Sequence, residues 1–161
     1  IDVPAYVSLN ESAARSGMAD LVDVEAFTES GAAEKIIEEA HSAGVRVIAS
    51  NHDFYKTPSR EEIISRLVKM QDMGADIAKI AVMPQSRKDV LTLLAATEEM
   101  VSGHAQIPVI TMSMGALGAI SRVFGETFGS AVTFGAVGRG SAPGQLGAGE
   151  LETVLSILQK G

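Results

Sequence analysis

The stretch Leu21-Val22-Asp23-Val24-Glu25-Ala26-Phe27 alternates with period two, so a strand here sets Asp23 and Glu25 on one face and Val22 and Val24 on the other. Four further apolar runs read as strands, over residues 45–50, 77–83, 109–114 and 131–137. Amphipathic segments separate them. Residues 32–43 place Ile36, Ile37 and Ala40 on one helical face, and residues 59–73 do the same with Ile63, Ile64, Leu67 and Met70 behind a Ser59/Glu62 capping signal. Residues 87–102 repeat Val90, Leu93, Leu94 and Thr97 after a Ser86 N-cap, residues 151–158 close the chain as a helix, and residues 116–128 are broken by glycines. Strands alternating with helices predict right-handed βαβ units and a parallel sheet, with no linker dividing the chain.

Five such units suit either a doubly wound sheet or part of a (β/α)8 TIM barrel, which needs eight units and typically about 250 residues. The polar strand residues favour the barrel. A doubly wound sheet is covered by helices on both faces and tends to have near-continuous apolar strands, whereas a barrel interior gathers acids, a base and a lysine at its C-terminal mouth. The expectation is one partial barrel domain over residues 1–161, five consecutive βα units without the first three. A five-stranded doubly wound parallel sheet is the alternative.

Composition narrows the function classes. A chain of 161 residues, 46% hydrophobic and 20% charged, can bury a sizeable core. Its net charge of -7 and the lack of a Lys/Arg cluster argue against nucleic acid or an anionic membrane as partner. No apolar run approaches the roughly 20 residues of a membrane helix. The absence of cysteine rules out thiolate and disulfide chemistry and suits a cytoplasmic location. An Ile start suggests a processed or incompletely represented protein.

Lys79 stands inside the apolar run Ile77-Ala78-Lys79-Ile80-Ala81-Val82-Met83, where desolvation disfavours the ammonium and can free the amine to attack a carbonyl. A lysine whose stem is buried and whose head reaches water is the competing reading. His52 follows the 45–50 run, and its ordinary pKa near 6.5 suits proton transfer in both directions, with Asp53 a candidate to orient it. A hydrogen-bonded loop histidine is the plainer alternative. His41 and His104 fall on helix or helix-end positions and carry no assigned role. Arg122 can hold a carboxylate by bidentate hydrogen bonds, or simply lie on a helix surface. Ser141 and Gln145 belong to the glycine-rich loop 138–145, which can close over a polar ligand or merely connect elements; its glycine order is wrong for a dinucleotide fingerprint. Met112, Met114 and Phe134 can form an apolar wall near the mouth. No His/Asp/Glu set has metal spacing, so no metal is expected.

Taken in order, Ser50-Asn51-His52-Asp53-Phe54, Lys79-Ile80-Ala81-Val82-Met83-Pro84-Gln85-Ser86, Thr111-Met112-Ser113-Met114, Ile120-Ser121-Arg122 and Ser141-Ala142-Pro143-Gly144-Gln145 resemble type I 3-dehydroquinate dehydratase. The resemblance spans nearly the whole chain. It implies a TIM barrel and a lyase of the shikimate pathway, and thus of aromatic amino acid biosynthesis, that converts 3-dehydroquinate to 3-dehydroshikimate without metal or organic cofactor. It also implies that Lys79 forms the Schiff base, that His52 is the general acid/base, that Arg122 and Gln145 hold the carboxylate region, and that Ser141 lies in the closing loop. The family carries about three more βα units ahead of the matched segment, with an arginine and acidic residues of the pocket. A homodimer or a complementing N-terminal chain is therefore expected. A class I aldolase-like Schiff-base enzyme and an inactive barrel fragment are the other function classes.

Overall fold

The strand and helix alternation is realised through residue 113 in a computed structural model that describes residues 2–28 and 31–159. Helix α1 (Val3–Arg15) precedes β1 (Leu21–Glu25), followed by α2 (Ala32–Ser42), β2 (Arg46–Asp53), α3 (Arg60–Asp72), β3 (Ile77–Val82), α4 (Arg87–Gly103) and β4 (Val109–Ser113). The short α5 (Ala119–Val123) and the terminal α6 (Ala148–Leu158) complete the order. Helix starts follow their caps. Ser59 accepts a hydrogen bond from the Glu62 N–H at 3.2 Å, and Ser86 and Asp89 form a reciprocal capping box at the start of α4.

All strand pairs are parallel and the order is β1-β2-β3-β4, so each strand lies beside its predecessor. A doubly wound sheet reverses its order at a switch point; this sheet does not. The two faces differ accordingly. Val22, Val24 and Val47 pack with Ala14 of α1 and with Ala33, Ile36, Ile37 and Ala40 of α2. Ala78, Ile80 and Val82 pack with Ile63, Leu67 and Met70 of α3 and with Leu93, Ala96 and Met100 of α4. Each large aliphatic side chain buried there contributes about 1.5–3 kcal/mol. The opposite face carries a smaller apolar cluster of Ile48, Ala81, Ile110, Met112 and Met114. The same face also bears the polar residues Asp23, Ser50 and Lys79, which hydrogen-bond to one another. Helices on one face and polar side chains on the other make the sheet an arc of a (β/α)8 barrel.

One expected strand is not formed. Residues 131–135 join no ladder, and Ala136 makes only an isolated bridge to Gly147. The reason lies at the free edge of β4. Ser130 Oγ accepts from the Thr111 N–H at 3.0 Å and Ser121 Oγ accepts from the Ser113 N–H at 2.8 Å. From the 131–137 run, the Ala131 N–H donates to the strand at Val109 O, 2.8 Å away. Side-chain hydroxyls thus satisfy donors that a fifth strand would have paired. The glycine-broken segment 116–128 resolves into α5 and a 3-10 turn at Glu126–Phe128.

Candidate active site

The acids of β1 meet the lysine and the histidine directly. Asp23 and Glu25 project from the same face because they are two residues apart, and the parallel register brings β2 and β3 alongside. Lys79, only 9% exposed, extends Nζ to Asp23 Oδ2 at 2.6 Å, and Ser50 Oγ donates to Asp23 Oδ1 at 2.5 Å. The Lys79 amine is thus ion-paired with Asp23, whereas its apolar run by itself suggested an amine set free by desolvation. Nζ also lies 5.2 Å from the Phe134 ring centroid, within cation–π range.

His52 lies on β2 itself rather than after it, and its partner is Glu25 instead of Asp53. Its Nδ1 is 2.8 Å from Glu25 Oε2. The Asp53 carboxylate turns away and accepts from the Tyr55 and Lys56 N–H groups, each at 3.0 Å. A carboxylate only accepts, so Nδ1 is the nitrogen that carries a proton here, and in the neutral form of the ring Nε2 keeps its lone pair. Phe54 stacks on the imidazole at 5.9 Å between centroids and 11° between planes. Tyr6 of α1 supports the same corner, its hydroxyl oxygen accepting from the Glu25 N–H at 2.9 Å.

Arg122 is buried in α5, 2% exposed. One terminal nitrogen donates to Pro143 O at 3.3 Å and the other lies 3.7 Å from Met112 Sδ, while Nε has no partner among the described residues. No carboxylate among the described residues pairs with it, and burial lowers its pKa from the usual guanidinium value. A buried cation without a counterion favours an incoming anion. The loop bearing Pro143 is tethered at Gly115, whose N–H donates to Pro143 O at 3.0 Å. Gly144, with φ 73°, packs so closely on Gly115 that a Cβ would lie 2.3 Å from its carbonyl oxygen. Within this loop Gln145 Oε1 accepts from the Ser141 N–H at 2.8 Å and from its hydroxyl at 3.1 Å.

His52, Lys79, Arg122, Ser141 and Gln145 line one cavity of about 270 Å³, walled by Met112, Met114 and Phe134. A larger cleft of about 470 Å³ touches Arg122 but neither Lys79 nor His52. The smaller cavity brings an amine, an imidazole and a guanidinium together.

The sequence model of Type I 3-dehydroquinase matches residues 1–161. The chain belongs to the type I 3-dehydroquinase family. The 3-dehydroquinate dehydratase of Klebsiella pneumoniae is 57% identical over 154 residues, which are 96% of this chain and 61% of that protein. The type I 3-dehydroquinate dehydratase of Clostridium difficile, solved with covalently modified comenic acid, superposes with a TM-score of 0.94 at 52% identity, covering 99% of this chain and 63% of that one. The Geobacillus kaustophilus 3-dehydroquinate dehydratase gives 0.93 at 44% identity, with 99% and 62% covered. The chain thus spans about three fifths of the length of these type I 3-dehydroquinase relatives.

The partners that hold Lys79 and His52 are not assigned by a residue-by-residue reading of the sequence. Asp23 and Glu25 announce themselves by alternation, though not which base each holds. Ser50 and Asn51 adjoin His52 in sequence and bond to Asp23 and Glu25 respectively, at 2.5 and 2.9 Å.

Proposed function

We propose that this cavity dehydrates 3-dehydroquinate to 3-dehydroshikimate, the third step of the shikimate pathway, through an imine on Lys79. The convergence of Lys79, His52 and the unpaired Arg122 on one cavity supports the reading. Arg122 receives the substrate carboxylate, with Gln145 and Ser141 beside it. Lys79 Nζ passes a proton to an acceptor, for which Asp23 Oδ2 at 2.6 Å is in place, and attacks the C3 ketone. Loss of water from the carbinolamine leaves an iminium. That cation draws electrons from the C2–H bond, and His52 Nε2 takes the proton while Glu25 steadies the imidazolium through Nδ1. The enamine then expels the C1 hydroxyl, which leaves as water with the proton that His52 returns. Hydrolysis of the conjugated iminium releases the enone and restores the amine.

Borohydride reduction in the presence of 3-dehydroquinate, read by mass spectrometry, tests this. The expected outcome is one adduct on the Lys79 peptide, absent in Lys79→Ala. In His52→Ala the adduct still forms, while turnover falls about 10²-fold or more. An adduct of undiminished yield in Lys79→Ala overturns the imine assignment.

A further inference from the structure

A polar chain runs from helix α3 to the imidazole, and its outer member lies outside the cavity. Glu25 accepts from three donors. Its Oε2 takes His52 Nδ1 at 2.8 Å, and its Oε1 takes Asn51 Nδ2 at 2.9 Å and the His52 N–H at 3.3 Å. Asn51 can present either edge of its amide to that carboxylate, and only the NH2 edge attracts it. The other edge is then the carbonyl, and Arg66 Nη1 donates to Asn51 Oδ1 at 3.0 Å. A guanidinium has donors only, so it can pair with the oxygen edge and not with the NH2 edge. Arg66 is itself held one helical turn away by Glu62, whose Oε1 accepts from Nε at 2.8 Å. That bond pulls the Glu62 carboxyl below its usual range.

We propose that Arg66 is a positioning residue for His52. By occupying the Asn51 carbonyl it turns the amide so that NH2 faces Glu25, and the anchored Glu25 keeps His52 protonated at Nδ1 with Nε2 free. The other charged groups around the ring do not compete for this role. Lys79 is engaged by Asp23, and Arg122 by Pro143 O. The inference rests on the assignment of proton transfer to His52, and it names what fixes that residue's tautomer.

Nitrogen-15 NMR of the imidazole, at a pH where His52 is neutral, reads the tautomer without substrate. The native chain should show the Nδ1–H form with a slowly exchanging Nδ1 proton. Arg66→Met keeps the stem and removes the donors, and should speed that exchange about fivefold, the scale of one hydrogen bond, with a matching rise in the Nε2–H form. Arg66→Lys, which can still donate to Asn51 Oδ1, should restore most of the native signal. Asn51→Ala should reproduce the Arg66→Met spectrum, and the double variant should add nothing to either single change. Native tautomer and exchange in a folded Arg66→Met, or additive effects in the double variant, overturn the proposal. These readouts involve no dehydroquinate, so they stand apart from the adduct test: a missing Lys79 adduct removes the dehydratase reading, and an unchanged spectrum removes only Arg66.

Discussion

At the scale of single residues, the site is organised by the choice of partner for each charge. Asp23 takes Lys79, Glu25 takes His52, and Arg122 is left without an acid among the described residues. That inequality sets the polarity of the cavity, with a cation at one side awaiting an anion. Arg122→Met, close in length but uncharged, should raise KM for the carboxylated substrate about 10- to 100-fold with a smaller change in kcat, since a hydrogen-bonded charge is lost from binding. Steady-state kinetics check this, and an unchanged KM removes Arg122 from carboxylate recognition. Lys79 and His52 stood out as candidates because each residue type is costly or conspicuous where it stands, whereas Arg122 drew its assignment from the family resemblance. The Asp53 assignment failed for a reason visible in hindsight: neighbours on a strand point to opposite faces, and β2 continues through Asp53. Arg66 carried no signal at all, being one charge among many on an amphipathic helix.

At the scale of elements, β1 to β4 and the helices α2, α3 and α4 between them follow directly from pattern, whereas α1 was not placed by it. Period two, period 3.6 and the caps Ser59 and Ser86 are local properties, and each element formed near where they placed it. The run at residues 131–137 had the right composition for a strand but met an edge already occupied. Ser130 carries much of that occupation, since its hydroxyl accepts from Thr111 N–H in a buried setting. Ser130→Ala leaves this donor unpaired and should lower unfolding stability by about 1–3 kcal/mol. Urea denaturation measures it; a loss below about 0.3 kcal/mol would mean that the backbone finds another acceptor. The same substitution tests whether hydroxyl pairing, rather than strand propensity, decides the edge.

At the scale of the whole molecule, stability draws on residues that join layers. Asp76, just ahead of β3, accepts from Val47 N–H of β2 at 2.8 Å and contacts His41 Nε2 of α2 at 2.8 Å, so a histidine with no assigned role is a structural clasp. Burial opposes ionisation of the Asp76 carboxyl, but the bonds from His41 and Val47 outweigh it and hold its pKa below the ordinary value. A carboxyl lowered in the folded state stabilises fully above its unfolded pKa of about 3.9, and that contribution is lost as pH falls through the lower folded value. Asp76→Asn should therefore flatten the acid limb of the stability curve below about pH 4, as read by urea midpoints against pH. Equal acid limbs in the two proteins would dismiss the clasp. By itself the sequence determined the alternation of strands and helices, the helix starts and the single face shared by Asp23 and Glu25, because those depend on periodicity over a few residues. Only the tertiary structure decided that Glu25 rather than Asp53 holds His52, that Lys79 is ion-paired, and that hydroxyls rather than a fifth strand cover β4. Those outcomes join residues as far as 56 positions apart, and strand register with the competition among buried donors and acceptors, not local pattern, settles which of them meet.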